Sequence, residues 1–263
     1  MKIKPALETM ARTGLAARGA VYLLTGGLAI WGATLGGGDA ETGPSEAFRS
    51  LETAPMGRVL VAAIALGLLL YSLWRWIQGA ADADRRGDDA KARIERLGMA
   101  ASGVSYFLVA LAAGAVIFGR NESGGGGATQ AFAEWILNQP FGVIVLGAAG
   151  LAMAALGAVQ IWRGGTRQYE KGLQIPKDSR WVTPVCVFGV AGRGVLFILI
   201  GWFLIYAAED ADPDEAMGAA QLMGWLRAQP FGLVLYIAAA ATLLGYAVYS
   251  LVQARYRKIG ADV

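Results

Sequence analysis

The chain has 263 residues, of which 56% are hydrophobic and only 16% are charged. An ordinary soluble domain has about 25% charged residues, so this composition argues against a soluble protein and favours a membrane protein. The single cysteine, Cys186, excludes an internal disulfide, and the sequence has no histidine. Because histidine is the commonest metal ligand and the usual general base near neutral pH, no metal site, cofactor or catalytic group is predicted.

Six long apolar segments follow one another along the chain. They lie at about 15–36, 56–79, 98–119, 140–163, 186–208 and 230–254. Each is long enough for a hydrocarbon core that needs about 20 residues, and none has the charged face of a soluble helix. The first segment also resembles a signal peptide, but its apolar run is long and its pattern recurs downstream. We therefore predict a retained helix and an all-α integral membrane protein with six transmembrane helices.

Basic residues are concentrated on one side of the predicted membrane. Of the 23 lysines and arginines, 19 lie on one side, in or near the termini and the connections after the second and fourth segments. The other connections contain only Arg49, Arg58, Arg120 and Arg227, together with eleven acidic residues. By the positive-inside rule, both termini are predicted to be cytoplasmic. This explanation of the basic residues also argues against a nucleic-acid partner.

The three outer connections each contain a short segment with helical character, at 45–51, 129–137 and 214–226. Phe132, Trp135 and Ile136 have the spacing of a one-sided apolar stripe, as do Leu222, Trp225 and Leu226. Such a stripe suits an amphipathic helix on the membrane surface. It equally suits a short cap packed on the ends of the spanning helices.

A motif of proline, one variable residue and glycine opens every second apolar segment. The three copies are Pro55 to Gly57, Pro140 to Gly142 and Pro230 to Gly232. Proline suits the first position of a helix, and glycine allows close approach of the preceding segment. We interpret these residues as structural helix-start junctions. A gate made from broken helix ends is the functional alternative.

The junctions define three tandem repeats, at residues 1–90, 91–180 and 181–263. Each contains two spanning helices, so all three copies have the same orientation and are predicted to surround a pseudo-threefold axis. The first helices align through Arg18, Ser102 and Arg193, followed four residues later by Tyr22, Tyr106 and Phe197. Close helix packing is predicted at small residues four positions apart, namely Gly150, Ala154 and Ala158.

These features together resemble the bacterial membrane proteins of the domain-of-unknown-function 1206 family, which carry three tandem two-helix repeats. The resemblance rests on Arg18-Gly19 and Arg193-Gly194, on the Pro-Phe-Gly junctions, and on the Trp-Arg helix exits at Trp74 and Trp162. Ser102 departs from the pattern. The resemblance implies a bacterial cytoplasmic membrane, and it implies no activity.

Arg18 and Arg193 are the candidate site residues, with Ser102, Tyr22 and Tyr106 at related positions. Each arginine is predicted about one turn inside the cytoplasmic end of its helix. If both face the axis, they form a cationic mouth for a phosphate, a carboxylate or an anionic lipid headgroup. Alternatively, each side chain snorkels to the interface.

The leading prediction is a non-catalytic scaffold or interaction partner in the membrane. Its partners are then the lipid bilayer and either an anionic lipid or another membrane protein, and its oligomeric state is left open. The alternative is a passive channel, a transporter, or a protein that binds an anionic lipid or small ligand, in each case using a central axis between the repeats. The spanning interiors contain no ionisable residue that could couple protons or sodium, and no catalytic constellation is recognisable, so an enzyme is not predicted.

Overall fold

The computed structural model describes residues 5–35, 43–81, 89–119, 125–170, 173 and 181–257. Apart from one bridge between Leu173 and Arg257, the regular structure in these ranges is helical. The helices are α1 (Pro5–Leu35), α2 (Pro44–Glu52), α3 (Gly57–Ala81), α4 (Ala90–Ile117), α5 (Gly125–Leu137), α6 (Gly142–Gly165), α7 (Val182–Glu209), α8 (Ala219–Ala228) and α9 (Gly232–Tyr256). Two short 3-10 turns lie at Gln168–Glu170 and Pro213–Glu215.

Helices α1, α3, α4, α6, α7 and α9 are the six helices of the described ranges that are long and apolar enough to cross a membrane. The prediction of an all-α, six-helix membrane protein is therefore confirmed. Helices α1 and α4 begin about two to three turns before the predicted apolar segments. We call the side with the start of α1 and the end of α9 the terminal face, and the side with the three prolines the junction face.

The six long helices follow one another around a ring in chain order. The closest packing joins consecutive repeats, with α3 against α4, α6 against α7, and α9 back against α1. Within repeats, α1 packs on α3 and α7 packs on α9. Among the described residues, α4 and α6 have no comparable packed interface. The ring of three repeats is therefore open at one seam, between the two helices of repeat 2.

The tight α6–α7 interface is built from glycines on both helices. A Cβ atom added at Gly150 would lie 2.7 Å from the carbonyl oxygen of Gly201, and one added at Gly157 would contact the carbonyl oxygen of Gly194. Missing side chains thus let the two backbones approach closely. Of the predicted small residues, Gly150 and Ala154 lie at this interface, since a Cβ atom at Gly201 would approach both, whereas Ala158 is exposed and Gly157 takes its place.

The three short helices form a layer on the junction face. Helix α5 contacts both α2 and α8, and the Gln130 Nε2 donates a hydrogen bond to the carbonyl oxygen of Asp214 at 3.1 Å. Phe48 of α2 and Leu222 of α8 are buried against the ends of the spanning helices. For these two helices, the structure corresponds to the cap and not to the surface-lying alternative.

The apolar stripe predicted on α5 is partly buried and partly exposed. Ile136 is buried in the core, whereas Phe132 and Trp135 are exposed and stack on each other with ring centroids 6.2 Å apart. These two aromatic side chains are therefore available to the membrane interface, where amphipathic rings are commonly found.

Each proline motif forms a tight turn before a spanning helix. The amide of Gly142 donates to the carbonyl oxygen of Gln139 at 2.9 Å, and Phe141 has φ 65°. A proline at the second position of the turn and a residue with positive φ at the third position define a type II turn. Met56 and Phe231 have the same positive φ. Helices α3, α6 and α9 begin at the glycines, so the prolines precede the helices by two residues and do not occupy the predicted first helical position.

The junction glycines are required by packing. A Cβ atom at Gly142 would collide with the carbonyl oxygen of Ile136, in the last turn of α5. Gly57 and Gly232 make the equivalent approaches to the carbonyl oxygens of Leu51 and Arg227. Glycine therefore lets each short helix fold back onto the start of a spanning helix.

We expect Gly142→Ala to lower stability by about 1–3 kcal/mol, the usual cost of overpacking. Gly114→Ala is the matched control, because no atom outside its own helix lies near a Cβ at that position and alanine favours a helix interior by up to about 1 kcal/mol. Thermal unfolding in detergent measures both effects. Equal midpoints for Gly142→Ala and the wild type would contradict the packing explanation.

Candidate functional site

Arg18 and Arg193 both lie deep within their helices. At a rise of about 1.5 Å per residue, Arg18 is about 20 Å from the start of α1 and Arg193 is about 16 Å from the start of α7. These distances correct the prediction that each lies about one turn inside its helix, because the helices begin earlier than expected. Arg18 is only 5% exposed, so it does not snorkel to the interface.

The Arg18 guanidinium group is held by side chains from two other helices. Its Nε donates to the Ser250 hydroxyl at 3.1 Å, its Nη1 to the Tyr71 hydroxyl at 2.7 Å, and its Nη2 to the Gln253 Oε1 at 2.6 Å. The same group lies 5.2 Å from the ring centroid of Tyr246. Arg18 therefore links α1 to both of its neighbours, α3 and α9.

The Arg193 guanidinium group has a similar environment one repeat away. Its Nε donates to the Tyr22 hydroxyl at 3.0 Å, and its Nη1 donates to the Gln160 Oε1 at 2.7 Å. It lies 4.0 Å from the ring centroid of Phe197 and 4.5 Å from that of Tyr246. Arg193 thus links α7 to α1, α6 and α9.

Edge-to-face aromatic contacts complete the centre of the ring. Tyr22 and Tyr246 have ring centroids 4.8 Å apart, as do Tyr71 and Tyr106. We call these four tyrosines, with the two arginines, the arginine–tyrosine cluster; its members are Arg18, Tyr22, Tyr71, Tyr106, Arg193 and Tyr246. The cluster brings together four of the five predicted site residues. Ser102 is half-buried on α4, and among the described residues no hydrogen bond joins it to the cluster.

The repeats place equivalent groups around both arginines. Tyr71 and Tyr246 each follow a junction glycine by 14 residues, and Gln160 and Ser250 each follow one by 18. The sequence prediction missed Tyr71 and Tyr246, although alignment of the second helices from their junction glycines contained the signal. In both cases the arginine contacts the tyrosine of its own repeat and an oxygen from the repeat that precedes it around the ring, which is repeat 3 for Arg18 and repeat 2 for Arg193.

The cluster holds two cations without a carboxylate. Among the described residues, the partners of Arg18 and Arg193 are hydroxyls, amide oxygens and aromatic rings. Burying a charge away from water costs several kcal/mol, whereas hydrogen bonds to a charged group return about 1.5–3 kcal/mol each and ring contacts about 0.5–2 kcal/mol. The arrangement is therefore suited to attracting an anion and unsuited to acid–base chemistry.

Repeat 2 lacks both members of the arginine–tyrosine pair. Ser102 stands at the arginine position, and Leu156 follows Gly142 by the same 14 residues. A third arginine, Arg75, stands at the position on α3 equivalent to Gln160 and Ser250. Its Nη1 donates to the Gln78 Oε1 at 3.2 Å, while its Nε is buried and has no hydrogen-bond partner among the described residues.

The turn between α6 and α7 packs against α9 at the terminal face. The Tyr169 hydroxyl donates to the carbonyl oxygen of Thr183 at 3.1 Å, and its ring packs edge-on against Tyr249 with centroids 5.5 Å apart. Burial, together with the neighbouring Cys186 thiol and Glu170 carboxylate, raises the pKa of Tyr169. This tyrosine therefore stays neutral and acts as a packing residue.

The fold and site together define a membrane protein of three two-helix repeats arranged around a buried arginine–tyrosine centre. Within the part of the chain that the structure describes, no group of three or more acidic, cysteine or histidine residues is placed to hold a metal ion.

The family described as Domain of Unknown Function (DUF1206) matches this chain three times, over residues 13–82, 97–167 and 188–257. The chain therefore belongs to this family, as its repeat pattern indicated. It is also 30% identical over 260 residues to Uncharacterized protein YxxB of Bacillus subtilis (strain 168), covering 97% of this chain and 92% of the relative. No solved structure matches the chain.

We expect Arg18→Ala to destabilise the protein by about 2–4 kcal/mol, because it leaves the buried Tyr71 hydroxyl without a hydrogen bond and removes the Arg18 bonds to Ser250 and Gln253. Arg58→Ala is the control, since that side chain is 72% exposed and pairs with Glu52 at the surface, where an ion pair contributes less than about 1 kcal/mol. Thermal unfolding of purified protein compares the two variants. A loss no larger for Arg18→Ala than for Arg58→Ala would exclude a structural role for the cluster.

Proposed function

We propose that the protein is a non-catalytic membrane scaffold or interaction partner. The observation that carries this proposal is the arginine–tyrosine cluster, whose interlocked side chains fill the centre of the ring. Arg18 and Arg193 each tie three or four helices together. Such a centre supports a rigid framework, and the seam of repeat 2 leaves one side of that framework open to a partner.

The same geometry disfavours the channel and transporter alternatives. A permeation path along the axis would have to cross the cluster and then the layer of α2, α5 and α8 on the junction face. Among the described residues, the spanning helices bring no acidic side chain to the cluster that could exchange a proton. An enzyme is disfavoured for a related reason, since neither arginine lies beside an activated nucleophile.

We place the protein in a bacterial cytoplasmic membrane with both termini in the cytoplasm. The support is the concentration of basic residues toward the terminal face, where 19 of the 23 lysines and arginines fall in sequence, together with the positive-inside rule. With this orientation, the arginine–tyrosine cluster lies in the cytoplasmic half of the membrane, and α2, α5 and α8 lie on the outer side.

The scaffold proposal predicts no solute flux in reconstituted vesicles. Purified protein in liposomes loaded with potassium chloride should leak potassium and chloride at the rate of empty liposomes, because the cluster blocks the axis. A known channel reconstituted in the same vesicles provides the positive control. Flux that exceeds the empty-vesicle rate and changes in Arg193→Gln would instead support permeation through the axis.

The orientation predicts the behaviour of reporters fused after Val263 and within residues 36–42. A fluorescent protein that folds only in the cytoplasm should fluoresce at the first site, and a phosphatase active only outside should be active at the second. The reverse pattern at both sites would invert the topology, since the two positions are separated by an odd number of predicted membrane crossings.

A further inference from the structure

The seam between α4 and α6 exposes positions that the other repeats bury. In repeat 1, Ala17 and Gly67 are buried where α1 meets α3, and a Cβ atom added at Gly67 would contact the Ala17 side chain. In repeat 2, the equivalent residues, Ala101 and Ala152, are both exposed. Leu156 is 50% exposed, whereas its equivalents in the other repeats are 6% exposed or less. The seam is therefore an uncovered apolar crevice facing the lipid.

Unpaired cationic donors lie on α3 and α7, the helices that pack against the two sides of this seam. Arg193 contacts Gln160, on the α6 side, and its Nη2 has no hydrogen-bond partner among the described residues. Arg75 belongs to α3, which packs on α4, and its Nε is buried without a partner. Gln160 and Arg75 are only about 8–9 Å from the terminal-face ends of their helices. This depth is within reach of a headgroup that inserts between helices.

The terminal-face end of the seam is bridged by side chains. The Arg163 Nη2 on α6 lies 4.0 Å from the Glu95 Oε1 on α4. A third helix is about 10–12 Å across with its side chains, which is wide compared with a gap that one ion pair spans. A flexible acyl chain is much thinner and can follow the crevice beneath this pair.

We propose that the seam holds one membrane lipid with an anionic headgroup. Its acyl chain lies between α4 and α6 against Ala101, Ala152 and Leu156, and its phosphate accepts hydrogen bonds from Arg193 Nη2 and from the Arg75 guanidinium group. Negative charge compensates the cations that have no carboxylate, and charge-assisted hydrogen bonds of this type are the strong ones. The inference deepens the proposed function, since it names what the open side of the framework binds.

Native mass spectrometry of the full chain tests this site. The protein is reconstituted in vesicles of equimolar phosphatidylcholine and phosphatidylglycerol, extracted in mild detergent and sprayed intact. The expected result is one phosphatidylglycerol retained per chain, and no displacement when inorganic phosphate is added. Displacement by inorganic phosphate would show that Arg193 and Arg75 bind a free anion, and it would overturn the lipid proposal.

Variants distinguish the contribution of the apolar crevice to lipid retention from the contribution of the arginines. Ala101→Phe and Ala152→Phe fill the seam and should reduce retention to background, whereas Ala62→Phe, at an exposed position of α3, should retain the lipid. Arg75→Gln should weaken retention by about tenfold, the effect of one lost charge-assisted hydrogen bond. Thermal unfolding of each variant verifies that it is folded, and the two phenylalanine variants keep the test decisive if an arginine variant does not fold.

Three further outcomes would overturn the inference. They are no retained lipid, equal retention of phosphatidylcholine, and a dimer that Ala101→Phe disrupts, which would assign the seam to a second copy of the chain. These outcomes are distinguishable from failure of the scaffold proposal, because that proposal fails only if the vesicle assay detects flux through the axis.

Discussion

The structure depends on two guanidinium groups, one buried and one half-buried, at a depth where no carboxylate accompanies them. Such groups are tolerated only when neutral oxygens and aromatic rings surround them closely. Those partners come from helices of all three repeats, so Arg18 and Arg193 can be satisfied only when the ring has assembled. The polar centre therefore specifies how the repeats are arranged, while apolar surface and glycine contacts supply the close packing.

Departure from symmetry is the second organising feature. Repeats 1 and 3 each keep an arginine on the first helix and a tyrosine on the second, and in both the two helices pack together. Repeat 2 has Ser102 and Leu156 at these positions, and its two helices separate. Repeat 2 therefore lacks the polar link that joins the two helices in the other repeats. The repeat that lacks the arginine–tyrosine pair is thus the one that opens.

The sequence predicted much of the candidate site but not its geometry. Arg18, Arg193, Tyr22 and Tyr106 were identified from their spacing, because equivalent helices repeat the same residue types. Tyr71 and Tyr246 were missed, since a tyrosine in an apolar helix carries no sign of which helix it will meet. The depth of the arginines was also misjudged, because apolar composition does not mark where a helix begins once it extends beyond the hydrocarbon region.

Apolar length and the proline–glycine motifs act locally, so the six spanning helices, the three repeats and the position of each turn could be predicted from sequence. The inward orientation of the arginines, the packing of the short helices on the bundle and the separation of α4 from α6 could not. These features depend on contacts between residues up to 235 positions apart in the chain. Hydropathy is the same whether a helix faces lipid or another helix, so it cannot predict which side is open.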